Sequence, residues 1–127
     1  LMTKKEAMDY FRETIKKAED DKLIRGWEEF YPSVFKNSNH YGFSIDGFPH
    51  EEIIDGKKIG GIATTGITLD TVNVISDVKE FGEDLPGRTY NEYQYYVHIR
   101  DFEKQKEKLN KFIEKEKERK KWIEKLN

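Results

Sequence analysis

A long basic helix is predicted at the C-terminal end of this chain. The last 25 residues contain ten lysines and arginines and six glutamates, whereas the preceding residues carry a net charge of −6. An apolar stripe begins at Phe102, and Asp101 can cap the first turn. The predicted helix over 101–126 would be roughly 37 Å long. The acidic remainder of the chain must therefore form the body that this helix crosses or leaves.

The apolar stripe of this helix is interrupted. Its first half carries Leu109 and Phe112, whereas the run 114–121 consists entirely of charged residues and offers nothing to bury. An apolar face returns at the end of the helix, formed by Trp122, Ile123 and Leu126. Two arrangements fit this pattern: the helix lies along its own domain with its tip on the first helix, or the tip docks on another molecule. In the second case these three residues would form the interface of a homodimer.

The N-terminal range 3–36 is predicted to be helical. Thr3 and Glu6 have the spacing of a capping box, in which the threonine oxygen accepts the Glu6 backbone N–H. Four apolar residues then recur at the steps of an amphipathic helix: Met8, Phe11, Ile15 and Ala18. The two aspartates at 20–21 can cap a second, shorter helix. Pro32 would end it, because a proline disfavours helical backbone at the preceding residue.

The range 41–100 has the composition of β-structure, because most of the glycines and many β-branched residues of the chain occur there. Short strands are predicted near 41–45, 52–54 and 58–63. Asp46-Gly47 and Asp55-Gly56 have the composition of tight turns. The second pair lies between two apolar runs, which predicts a β-hairpin.

The later part of this β-region is less uniform. Residues 67–81 place apolar side chains three apart, as a helix can, but their β-branched content favours a strand as far as Ser76. Apolar and polar residues alternate over 93–99, which is the clearest strand pattern in the chain. The whole pattern predicts one α+β domain over 1–127. It would contain two N-terminal helices, a central antiparallel sheet of three to five strands and a long C-terminal helix.

Composition excludes several classes of protein. The chain has no cysteine, so disulfides and thiolate metal sites are excluded. No apolar run approaches the roughly 18 residues that suggest a membrane span. The N-terminal residues, with Lys4 and Lys5, lack the apolar stretch of a signal peptide. We therefore expect a cytoplasmic protein that does not enter membranes, and no cofactor is indicated.

The densest group of potential metal ligands consists of His50, Glu51 and Glu52, with Asp55 behind them. Imidazole and carboxylate groups suit zinc, manganese or iron. Their spacing matches no established metal motif. A solvent-facing acidic loop is therefore the preferred interpretation, and a metal-dependent enzyme is the weaker alternative.

A second group of candidates could bind a small molecule or a nucleotide. Three tyrosines could stack on a ring and three basic residues could contact a phosphate: Tyr93, Tyr95, Tyr96, Lys57, Lys58 and Arg88. The glycines after the two lysines do not have Walker spacing, and alternating tyrosines also fit an ordinary half-buried sheet face. The range 26–99 holds five basic and twelve acidic residues, which disfavours binding to duplex nucleic acid.

The bias of this small chain towards lysine, glutamate, isoleucine and asparagine resembles accessory proteins of low-GC Gram-positive bacteria and their phages. The resemblance is one of composition and carries over no motif or residue role. It implies a small interaction protein rather than a housekeeping enzyme. We therefore predict a non-enzymatic binding protein that presents an acidic, aromatic face to a protein partner, in the host cytoplasm if phage-encoded. The alternative is a small-molecule or nucleotide-binding domain with a tyrosine-lined pocket.

Overall fold

The computed structural model of the protein describes residues 2–30, 42–69, 74–76 and 95–126. Two α-helices and eight β-strands occur in these ranges. In chain order they are β1 (Met2–Thr3), α1 (Lys4–Asp20), β2 (Ile24–Phe30), β3 (Gly42–Gly47), β4 (His50–Ile54), β5 (Lys57–Ala63), β6 (Gly66–Leu69), β7 (Val74–Ser76), β8 (Tyr95–Val97) and α2 (Ile99–Leu126).

The described strands form three small antiparallel sheets. Their orders are β1-β8-β7, β2-β3-β6 and β4-β5. The predicted α+β class, the antiparallel pairing and the long C-terminal helix are confirmed. The predicted single sheet of three to five strands is wrong for the described residues. β4 and β5 leave the β3–β6 ladder as a separate hairpin, and β7 and β8 form another sheet with β1. Asp46 pairs with Gly66 at the end of that ladder, and the hairpin extends from this point.

The core lies between the two helices and the β2-β3-β6 sheet. Phe11 of α1 is fully buried at its centre. Its ring centroid lies 5.7 Å from that of Phe43 on β3 and 5.4 Å from that of Phe102 on α2. Aromatic rings at such distances add to the free energy gained by burying their area. This cluster fixes α2 against the body, and thereby places the far end of α2 beside the β4–β5 hairpin.

The predicted second N-terminal helix is wrong, because residues 24–30 form the strand β2. Lys22 adopts a left-handed backbone with φ 58°, and Leu23 donates its N–H to the Ala18 carbonyl oxygen at 2.9 Å. This is the hydrogen bonding of a Schellman motif, which ends α1 before the aspartates can cap another helix. The strand then pairs with β3, and Arg12 of α1 forms an ion pair with Glu29.

The two predicted Asp-Gly turns have different outcomes. Asp55 and Gly56 have φ values of 52° and 75° and join β4 to β5, so this hairpin is confirmed. The turn predicted at Asp46-Gly47 is wrong, because both residues belong to β3. Gly47 donates its N–H to the Thr65 carbonyl oxygen at 2.6 Å, and a Cβ atom at this position would collide with the Thr65 side chain. Close approach of two backbones requires this glycine.

The other predicted elements are found where the structure describes them. The N-cap at Thr3 is present, with the Glu6 N–H donating to the threonine oxygen at 3.2 Å, and the Glu6 carboxylate accepts from the Thr3 hydroxyl at 2.8 Å. In the range 67–81, for which a strand is favoured as far as Ser76, the described residues 67–69 and 74–76 belong to strands β6 and β7. Residues 70–73 and 77–81 are outside the described ranges. Helix α2 begins at Ile99, two residues before the predicted start, and spans about 42 Å. Neither helix in the described residues is long and apolar enough to cross a membrane.

Candidate functional site

A cleft of about 270 Å³ lies between the β4–β5 hairpin and the last turns of α2. We call it the hairpin–helix cleft. Its lining residues are His50, Glu51, Asp55, Gly56, Arg119, Trp122 and Ile123. The fold thus brings two groups of candidate residues, predicted separately for metal binding and for an interface, to one place.

The hairpin turn forms one wall of the cleft. Asp55 and Gly56 occupy the two left-handed positions that a two-residue turn of this type requires, and Asp and Gly are among the few residues that tolerate them. The Trp122 ring lies against this turn, since a Cβ atom at Gly56 would be 3.7 Å from the Trp122 Cζ3 atom. The helix tip therefore docks on its own domain, as one of the two predicted arrangements requires. It contacts the hairpin turn through Trp122, whereas the prediction placed it on the first helix.

The charged run of α2 is solvated only in part: six residues of 114–121 are exposed as the sequence predicts, whereas Glu116 is buried and Arg119 is half-buried. Glu116 is only 6% exposed, and its Oε1 atom accepts hydrogen bonds from the Thr65 hydroxyl at 2.9 Å and from Arg119 at 2.6 Å. The inward-facing stripe of α2 therefore continues through the charged run, with polar residues as members. Its residues follow one another at three- and four-residue steps: Leu109, Phe112, Glu116, Arg119 and Ile123. Lys120 adds a bond to the Asp21 carbonyl oxygen at 3.0 Å. The far end of α2 is consequently held by polar contacts.

The charges around the cleft are mostly balanced in pairs. Glu51 forms an ion pair with Lys58 at 3.1 Å, and Glu116 is paired with Arg119. Asp55 has no ion-pair partner among the described residues. The His50 Nδ1 atom lies 3.1 Å from the Phe48 carbonyl oxygen, so Nε2 is the remaining ring nitrogen for another group. The described lining therefore has an excess of one negative charge.

The structure does not gather the metal candidates into a ligand set within the described residues. No group of three or more histidine, cysteine or acidic side chains is arranged to hold a metal ion in these ranges. His50 and Glu51 do lie together in the cleft, but the Glu51 carboxylate is engaged by Lys58. The side chain of Glu52 lies outside what the structure describes. The described geometry therefore gives no support to the hypothesis that the segment 50–55 binds a metal ion.

Those candidates for a tyrosine-lined pocket that the structure describes lie in different parts of the fold. Tyr96 is on β8, the central strand of its sheet, whereas Lys57 and Lys58 begin β5 in the hairpin. Tyr93 and Arg88 lie outside the described residues, and so does the side chain of Tyr95. Among the described candidates, the Lys58 side chain is adjacent to the cleft through its pair with Glu51. The tyrosine pocket stays a prediction.

Three residues of the site, Thr65, Glu116 and Arg119, were not predicted from the sequence. The two on α2 could have been identified by extending the three- and four-residue spacing of the stripe into the charged run. Thr65 carries no sequence signal, because its partner Glu116 is 51 residues away.

Comparisons with protein-family models, curated proteins and solved structures find no match for this chain. The chemistry of the site itself must therefore indicate what it does. One wall is aromatic and aliphatic, from Trp122 and Ile123, and the other carries carboxylates from Glu51 and Asp55. Such a lining suits binding through apolar contact and charge.

Proposed function

We propose that this protein is a non-enzymatic binding protein that recognises a protein partner with the hairpin–helix cleft and the apolar residues around it. The observation that carries this proposal is the position of its exposed apolar side chains. Four of the five large ones in the described residues lie on the hairpin, directly before it or in the cleft: Phe48, Ile54, Ile59 and Trp122. Trp122 lines the cleft, and the other three lie on or directly before the hairpin that forms one of its walls. Single exposed apolar residues are ordinary, whereas several of them near one another are typical of an interaction surface.

The backbone of the hairpin supports the same function. In the described part of the chain, β4 and β5 pair only with each other, so each strand has an outer edge with unpaired N–H and C=O groups. An extended segment of a partner can hydrogen-bond to such an edge, while its side chains reach the neighbouring cleft. Ile54 and Ile59, each about half exposed, would be covered in that complex.

The charge of the cleft favours a protein segment over a nucleotide. Its described lining carries Glu51 and Asp55 against Arg119, an excess of one negative charge that would repel phosphate groups. The acidic and aromatic groups of the cleft support the proposal of an acidic, aromatic face that binds a protein partner. The compositional resemblance to accessory proteins of low-GC Gram-positive bacteria and their phages supports a host protein as the partner.

A comparison of three proteins tests this proposal. The unsubstituted protein, Ile59→Glu and the control Ile99→Glu are immobilised and exposed to a lysate of a low-GC Gram-positive bacterium, and the retained proteins are quantified. Ile59 is 48% exposed and Ile99 is 51% exposed, but Ile99 begins α2, at the opposite end of that helix from the cleft. Glutamate in the first turn of a helix is compatible with folding, so Ile99→Glu is a fair control.

We expect a partner that is retained by the unsubstituted protein and by Ile99→Glu and lost by Ile59→Glu. Circular dichroism of the three proteins checks that each is folded. Equal retention of every protein by all three forms would contradict the assignment of the binding surface to the hairpin.

A further inference from the structure

The hairpin–helix cleft has the chemistry of a site for one positive charge. The Glu51–Lys58 pair and the Glu116–Arg119 pair are each neutral, so the Asp55 carboxylate supplies the unbalanced negative charge of the described lining. Asp55 is exposed, and its position at the hairpin turn leaves it accessible to a ligand. The Arg119 side chain does not oppose a cation strongly, because Glu116 neutralises it at 2.6 Å.

Trp122 provides the second element of such a site. The face of an indole ring attracts cations, and guanidinium groups also stack on it. The Lys125 ammonium nitrogen lies 5.4 Å from the centroid of this ring, so an arginine ligand would have to use the remaining exposed surface of the ring or replace this lysine. Trp122 is 46% exposed, so part of the ring is open to a ligand.

We propose that the cleft binds a single cationic side chain, with arginine as its best ligand, on an extended segment of the protein partner. This proposal rests on the proposed function and names the chemistry of the residue that enters the cleft. The volume of about 270 Å³ has room for one long side chain. The guanidinium group would lie between the Asp55 carboxylate and the Trp122 ring, while the flanking backbone would run along the edge of the hairpin.

A nuclear magnetic resonance titration tests the proposal with a defined probe. The chain has two tryptophans, Trp27 and Trp122, and therefore two indole N–H signals, which a Trp122→Phe variant assigns. The probe is the blocked tripeptide acetyl-Val-Arg-Val-amide. The matched peptides carry citrulline, which has the shape of arginine without its charge, or glutamate. An isolated tripeptide should bind only in the millimolar range, so each is added to about 10 mM.

We expect the arginine peptide to shift the Trp122 signal progressively and to leave the Trp27 signal unchanged. Asp55→Asn should weaken the binding by about two- to fivefold, as loss of an exposed ion pair does. Asparagine tolerates the left-handed backbone of Asp55, so this variant keeps the turn. Asp46→Asn is the control, because it removes the same charge from an exposed position on β3 that does not line the cleft.

Three results would overturn the proposal. They are no shift with the arginine peptide, an equal shift with the citrulline or glutamate peptide, or equal weakening by Asp46→Asn and Asp55→Asn. These results are separable from failure of the proposed function. If Ile59→Glu loses a partner while the arginine peptide does not bind, the surface is an interface but its ligand is not cationic.

Discussion

Replacement of Glu116 by alanine should destabilise the protein far more than its position in a charged run indicates. Glu116 is 6% exposed and accepts two hydrogen bonds through one oxygen atom, from Thr65 and Arg119. Alanine removes the acceptor, so the Thr65 hydroxyl and the Arg119 guanidinium both lose a partner. The hydrogen bond that joins α2 to Thr65, directly before β6, is then lost.

The expected magnitude follows from these contacts. A hydrogen bond to a charged acceptor contributes about 1.5–3 kcal/mol. The ion pair with Arg119 adds at most about 1 kcal/mol, because the arginine side chain is 36% exposed and water screens the charge. Alanine returns a few tenths of a kcal/mol through its higher helix propensity. We therefore expect Glu116→Ala to lower the free energy of unfolding by about 2 kcal/mol, and Glu116→Gln, which keeps an acceptor for Thr65, by about 1 kcal/mol.

Urea unfolding followed by circular dichroism measures this change. With a urea dependence of about 2 kcal/mol per molar, a loss of about 2 kcal/mol moves the midpoint by about 1 M. Glu114→Ala is the matched control on the same helix, because that glutamate is 70% exposed and pairs only with Lys117 among the described residues. Its effect should lie within about 0.5 kcal/mol of zero.

A double-mutant cycle identifies the contact. Thr65→Val removes the hydroxyl donor, and its effect should be smaller in a Glu116→Ala background, with a coupling energy of about 1 kcal/mol. If Glu116→Ala and Glu114→Ala have equal effects on stability, Glu116 does not hold the end of α2.

Four further outcomes are expected. Gly47→Ala should lower the free energy of unfolding by about 1–3 kcal/mol, because its Cβ collides with Thr65; an unchanged urea midpoint would refute the close approach. Zinc or manganese should leave the melting temperature unchanged; a rise of several degrees that His50→Ala abolishes would indicate a metal site. Duplex DNA should bind weakly and in a salt-sensitive manner; a sub-micromolar dissociation constant at about 150 mM salt would contradict this. If Trp122 and its neighbours form a homodimer, light scattering should detect a dimer that a form ending at Lys121 loses, and a monomer at tens of micromolar would exclude that dimer.

Local sequence patterns determined the two helices and the hairpin. The Thr3 capping box and the three- and four-residue spacing specify α1, because these interactions occur within one or two helical turns. Asp55-Gly56 specifies the hairpin, since few residue pairs accept two left-handed positions. In each case the interacting residues are close in the sequence, so their spacing alone identifies the structure.

Tertiary partners decided the remaining elements. The apolar residues of 24–30 fit a short helix or a strand, and pairing with β3 together with the Arg12–Glu29 ion pair selects the strand. Gly47 has turn composition but serves a close approach to Thr65. These outcomes depend on groups distant in the chain, whose positions no local pattern specifies.

The candidate site also has a part that local sequence indicates and a part that only the tertiary structure assembles. The sequence identified His50 and Glu51 as one group and Trp122 and Ile123 as another, because unusual residue types stand out locally. Only the folded chain joins them, since burial of Glu116 against Thr65 turns a run of charges into an anchor for the helix end. A buried carboxylate is stable there because a hydroxyl and a guanidinium satisfy it, and those partners meet it only in the tertiary structure.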